Sequence, residues 1–147
     1  MKCSECSRVA YRALPGGPVL HDAPAALKAL PADFATLEQE EFWVLCLNAR
    51  HRITHRVMVA RGSASRCEVQ ARDVLREALR SGCVAVIVAH NHPSGDPEPS
   101  ADDRALTRRL AAGCALVGLT LLDHLVVASE GWRSMADDIA AMRPAER

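Results

Sequence analysis

Three short, unbroken apolar runs, at residues 42–47, 83–89 and 119–128, constrain the fold of this chain more than any other feature. Each has strand length and lacks the alternation of a half-exposed strand, so each reads as a strand buried on both faces. Between them lie amphipathic segments. In residues 67–81, Ala71, Val74, Leu75 and Ala78 recur at i, i+3, i+4 and i+7, one buried stripe of a helix, and Gly82 follows where a helix C-terminal cap belongs. After Ser100 a second helix carries Leu106, Leu110, Cys114 and Val117 on one face. Strands alternating with helices predict an α/β fold with a mixed β-sheet flanked by helices, as a single domain.

The weaker signals complete the outline. Residues 1–17 read as a loose N-terminal arm closed by the breakers Pro15, Gly16, Gly17 and Pro18, residues 18–140 as the domain and 141–147 as a tail. A helical region is expected around 25–37, interrupted by Pro31. A turn is expected at 48–50, then a strand over 51–60 with Ile53, His55, Val57 and Val59 on one side. A last short strand is expected at 132–135.

Composition excludes several classes. At 147 residues and 49% hydrophobic positions, the chain is one domain's length and can bury about two-thirds of its unfolded surface. Disorder, collagen and repeat architectures are excluded for most of it. No run approaches the ~20 apolar residues that span a bilayer. The segment MKCSECSRVAYR lacks a signal peptide's apolar stretch, so a soluble cytoplasmic protein with no membrane partner is expected. Basic and acidic residues balance at 18 each, which argues against a dedicated polyanion binder. Sixteen of the basic residues are arginine, a bias most simply read as genomic. Arg50, Arg52 and Arg56, with Arg104, Arg108 and Arg109, read as solvated faces rather than a basic patch. Cys46, Cys83 and Cys114 sit in apolar surroundings as small hydrophobes. Cys3-x-x-Cys6 is half of a zinc-ribbon pattern with no second pair, and disulfides are not expected.

The chemistry concentrates in HNHPSGDPEPSADD, residues 90–103. His90 and His92 sit at the carboxyl end of a buried strand, where i and i+2 project to one face and both imidazoles converge. Two histidines and a carboxylate leave a fourth zinc position for water. The candidate carboxylate is Asp103, in the first turn of the next helix. The stiff loop with Pro93, Gly95, Pro97 and Pro99 folds that helix start back over the strand end. Ser100 and Asp103 also have capping-box spacing, with Asp in place of Glu. Activating water additionally requires a carboxylate as general base, accepting a proton and returning it to the leaving amine. Glu40 and Glu41, just before the first buried strand, are candidates that point to opposite faces.

The spacing His-x-His-x7-Ser-x2-Asp resembles the signature of JAB/MPN (JAMM) metalloprotease domains. The wording of the loop, with Leu122-Asp123-His124 downstream, resembles the RadC branch over roughly residues 18–137. That resemblance implies the cytidine-deaminase-like JAB/MPN architecture. It implies Zn²⁺ held by His90, His92 and Asp103, with Ser100 stabilising the oxyanion. It also implies a Glu base before an apolar strand ending in Asn or Asp, which fits Glu40 through Asn48 and favours Glu40 over Glu41. The function implied is a zinc-dependent peptidase or isopeptidase acting on a protein or peptide. Asp123-His124 matches the family and is expected either to orient a ligand or to make an ordinary strand hydrogen bond.

Other readings carry less. The family has a DNA-repair label and commonly places a helix-hairpin-helix module before this domain. A chain of 147 residues leaves no room for that module, so DNA contact is not the leading expectation. A zinc deaminase wants His-x-Glu and Pro-Cys-x-x-Cys, and neither occurs. Contiguous His-Asn-His is not an HNH nuclease, whose residues are dispersed. An inactive metal-binding scaffold is disfavoured by the full set of Glu40 and three ligands.

Overall fold

Residues 41–47 and 85–91 are buried along their whole length, as strands must be when both faces are covered. The structure, a computed structural model, describes residues 10–14, 16–62 and 68–143. Its elements are β1 (Ala10–Ala13), α1 (Ala23–Lys28), a 3-10 turn (Phe34–Thr36), β2 (Glu41–Leu47), β3 (Ile53–Arg61), α2 (Ala71–Ser81), β4 (Ala85–Asn91), α3 (Ala101–Leu116), β5 (Thr120–Ala128), β6 (Gly131–Ser134) and α4 (Ala136–Met142). The strands form one sheet in the order β1-β3-β2-β4-β5-β6. Only β4 and β5 pair in parallel. Parallel neighbours need a crossover, and α3 provides it. The α/β class with a mixed sheet and flanking helices is therefore the observed one.

Alternation along the strands divides the core in two. Phe42, Val44, Cys46, Val86 and Val88 pack with Val74, Ala78, Leu106, Leu110 and Cys114 of α2 and α3. Trp43, Leu45, Leu47, Ile87 and Ala89 pack on the other face with Leu20, Ala26, Leu30 and Phe34. Each aliphatic side chain so buried contributes about 1.5–3 kcal/mol. This two-sided burial explains the unbroken apolar runs. It also means that even positions of β4, continuing to His90 and His92, face α3.

Several expectations need correction. Residues 25–37 are not one interrupted helix, because α1 stops at Lys28 and Pro31 leads into the 3-10 turn. Ile53 does not share a face with Val57. A register shift between Cys46/Leu47 sets Leu47 opposite Ile53 but Cys46 opposite His55, and this bulge at Thr54 inverts the alternation. Val117 is the α3 C-cap and half-exposed rather than part of the buried stripe. The expected arm is not loose throughout: β1 pairs with β3, and Leu14 donates to the Thr54 carbonyl at 2.7 Å. A Cβ at Gly17 would collide with the Ile53 carbonyl. The expected tail boundary falls inside α4. Cys3, Cys6 and Cys67 lie outside the described residues, while Cys46, Cys83 and Cys114 are buried free thiols. Of the six arginines weighed as a patch, Arg52, Arg56 and Arg104 are committed to internal contacts. Among the described residues no helix is long and apolar enough to cross a membrane.

Candidate metal centre

His90 is the sixth residue of β4 and His92 lies just beyond its end, and both extend the stripe of Val86 and Val88 toward α3. Their Nε2 atoms are 3.0 Å apart. Phe42, cross-strand from His90, stacks on its ring at 5.8 Å with 9° between planes. The His92 N–H donates to the Val127 carbonyl at 2.8 Å, so the parallel pairing continues past the strand and orients the second imidazole. The loop then turns tightly. Gly95 N–H donates to the His92 carbonyl, and Gly95 takes φ 93°, a conformation natural to glycine. His92 Nδ1 reaches the Asp96 carbonyl at 2.9 Å.

The loop returns the start of α3 to the histidines, as the proline spacing suggested. Ser100 is the N-cap: its Oγ accepts from Asp103 N–H at 3.0 Å, and Asp103 Oδ2 accepts from Ser100 N–H at 2.8 Å. This is the capping box foreseen in the sequence, and it coexists with a second role. The same carboxylate lies 3.2 Å from His90 Nε2 and 3.1 Å from His92 Nε2. Capping thus fixes the carboxylate's rotamer while leaving it aimed at both rings.

The two glutamates separate cleanly. Glu41 is buried, accepting from Trp43 Nε1 at 2.8 Å and from Arg61 at 2.7 and 3.0 Å. Glu40 instead faces the histidines, with Oε1 3.9 Å from His90 Nε2. Asn91, between the two histidines, explains this choice. Its side chain donates to the Gln39 carbonyl at 3.0 Å and accepts from Glu41 N–H at 2.7 Å, clamping the backbone on both sides of Glu40. Sequence reasoning missed Asn91, although its place between two site histidines was a signal. Glu41→Ala is expected to destabilise the fold by about 1–3 kcal/mol, chiefly by orphaning the Trp43 indole N–H. Arg61 is half-exposed and its ion pair adds little. The check is a lowered denaturation midpoint with metal content unchanged.

His124 on β5 also joins the site. Its Nε2 lies 2.8 Å from His90 Nδ1, and its Nδ1 lies 2.7 Å from Thr107 Oγ1 on α3. Asp123 turns the other way, accepting from His124 N–H, Met135 N–H and Ser134 Oγ. Of the Asp-His pair, only the histidine serves the candidate centre.

The electrostatics suit a cation. Burial raises the Asp103 carboxyl, but hydrogen bonds from His90 and His92 outweigh it and hold the group well below the usual carboxylate range. The Asp103 hydrogen bond raises the His92 imidazole above its ordinary value against the opposing effect of desolvation. Burial pushes His124 well below its ordinary value, so it is neutral. Glu40, His90 and His92 each offer a ligand atom, all within 4.8 Å of one another, and Asp103 adds its carboxylate closer still. Imidazole nitrogens and carboxylate oxygens converging at such distances repel unless a proton or metal lies among them, and this donor set fits zinc.

Comparison with known proteins agrees. The family described as RadC-like JAB domain matches residues 20–140. The chain belongs to that family. It is 40% identical over 117 residues to a UPF0758 protein of Cyanothece sp., covering 80% of this chain and 48% of the relative. It is 41% identical over 113 residues to a UPF0758 protein of Symbiobacterium thermophilum, covering 77% and 48% respectively. A UPF0758 protein of Listeria monocytogenes is 38% identical over 112 residues, covering 76% and 50%. The chain therefore spans about half the length of these curated relatives. Within this RadC-like domain the matched region contains Glu40, His90, His92, Ser100 and Asp103.

Proposed function

We propose that this RadC-like domain is a zinc-dependent metallohydrolase cleaving peptide or isopeptide bonds. The observation that carries the reading is the convergence of His90, His92 and Asp103 within 3.0–3.2 Å of one another, with the Glu40 carboxylate 3.9 Å from His90. The shorter contacts assign Asp103 as the carboxylate ligand beside His90 and His92, and the longer one assigns Glu40 as base. Bound there, zinc would supply a Lewis acid that polarises a scissile carbonyl and brings the pKa of water near ~7.

The protein's own groups do the rest. Glu40 accepts a proton from the water as its oxygen bonds to the carbonyl carbon. It then gives that proton to the amine nitrogen as the C–N bond breaks. Ser100 Oγ already accepts the Asp103 N–H, and its own proton is directed to the oxygen on which negative charge develops. Asn91 keeps Glu40 in register with the strand that bears both histidines.

Two measurements on purified protein test this: metal content, and cleavage of a mixed peptide and isopeptide library before and after chelation. Near one zinc per chain and cleavage lost with the metal are expected. His92→Ala is expected to weaken zinc retention by about two orders of magnitude or more, since it removes one of three protein ligands. A native protein that holds no zinc and is indifferent to chelator would defeat the reading.

A further inference from the structure

Five groups form an unbroken line of hydrogen bonds from α3 through β5 to β4, and their chemistry permits one proton arrangement. Thr107 Oγ1 lies 2.7 Å from the Asp103 backbone carbonyl and 2.7 Å from His124 Nδ1. Met135 Sδ lies farther from it, at 3.6 Å. The hydroxyl has one proton and the carbonyl only accepts. Were that proton turned to His124, two oxygens would face each other lone pair to lone pair, with Thr107 and His124 both fully buried. The proton therefore goes to the Asp103 carbonyl, and Thr107 Oγ1 accepts from His124 Nδ1–H. A neutral imidazole protonated on Nδ1 has a lone pair on Nε2. That lone pair meets His90 Nδ1 at 2.8 Å, so His90 Nδ1 carries the hydrogen and His90 Nε2 is left as a bare lone pair. His90 Nε2 is the atom that faces Asp103 and His92.

We propose that Thr107 and His124 are positioning residues that set the tautomer of His90, presenting Nε2 in the only form able to bind a metal. The line begins and ends on the site's own residues. The Asp103 backbone carbonyl accepts the Thr107 proton, while the Asp103 carboxylate stands beside the nitrogen that the line leaves unprotonated. His92 reaches the same form by a simpler route, because the Asp96 carbonyl can only accept from its Nδ1–H. The two ligands are thus prepared independently, one by loop backbone and one by buried side chains. The assignment rests on the metal reading for its purpose and on hydrogen-bond geometry alone for its direction.

Long-range proton–nitrogen NMR of ¹⁵N-histidine-labelled, metal-free native protein at mildly alkaline pH reads the tautomers directly. His124 and His90 are each expected to be protonated on Nδ1 and bare on Nε2. Nε2–H on either ring overturns the proposal, whatever the protein does with metal. Zinc competition against a chelator supplies the second readout. Thr107→Val, which keeps shape but removes the acceptor, is expected to weaken zinc about 10–100-fold, and Thr107→Ser to stay near native. Equal zinc affinity in native, Thr107→Val and Thr107→Ser proteins overturns the relay while leaving the hydrolase reading standing. A native protein without zinc affinity defeats the hydrolase reading, and the tautomer spectrum then decides the relay alone.

Discussion

Glu40→Gln is expected to lower peptide cleavage by about 10²–10⁴-fold, the usual contribution of a positioned general base, with zinc content unchanged. Gln has nearly the shape of Glu, so the backbone clamp of Asn91 on Gln39 and Glu41 remains. What is lost is the ability to take a proton and return it. The loss should fall on kcat, since no ground-state contact with substrate is removed. Cleavage rates and metal content measured on the same preparations decide it. If Glu40→Gln cleaves like the native protein, neither the base assignment nor the mechanism survives. If zinc leaves with the carboxylate, Glu40 belongs among the ligands instead. Glu41 provides the internal control, because its carboxylate is spent on Trp43 and Arg61 and its removal acts on stability.

Asp103→Ala is expected to have the second large effect, and in two currencies. It removes a ligand carboxylate, with zinc affinity falling by two orders of magnitude or more, on the order of what losing a direct ligand costs beyond losing an outer partner. It also opens the capping box at the start of α3, leaving the Ser100 N–H without its side-chain acceptor, for a cost of about 0.5–2 kcal/mol. Ser100→Ala separates the two, because it removes the Oγ that caps Asp103 N–H but keeps the carboxylate. That variant is expected to lose a similar increment of stability while retaining zinc. Acid titration of the metal-free protein gives a further check. The Asp103 carboxyl sits below its ordinary range in the folded state. Its stabilising contribution is therefore present above the unfolded carboxylate pKa of about 3.9 and lost as pH falls below it. The native protein should become less stable there, and Asp103→Ala should show less of that loss. Equal zinc affinity in Asp103→Ala and native protein would remove Asp103 from the ligand set.

The site divides into residues that local periodicity reveals and residues that it hides. His90 and His92 were legible because strand side chains alternate with period two, so they continue the inward stripe of Val86 and Val88. Ser100 and Asp103 were legible because a helix start brings positions i and i+3 together. The capping and metal readings of that pair competed in the sequence and turn out to share one carboxylate. The bulge at Thr54 shows the limit of the same rule. One inserted residue exchanges the two faces of β3, and nothing in the alternation around Ile53 announces it.

The sequence by itself determined the class of the fold, the strand–loop–helix junction and four of the five residues gathered there. All of these follow from patterns within a few neighbouring positions. Only the tertiary structure decided between Glu40 and Glu41, because the choice depends on Asn91, fifty residues away from Glu41, and on its two backbone hydrogen bonds. Only it brought Thr107 and His124 to His90, across separations of 17 and 34 residues. Those contacts depend on the register of β4 against β5 and on how α3 packs across them. Register and packing are set by the whole core at once, so no local stretch of sequence contains them.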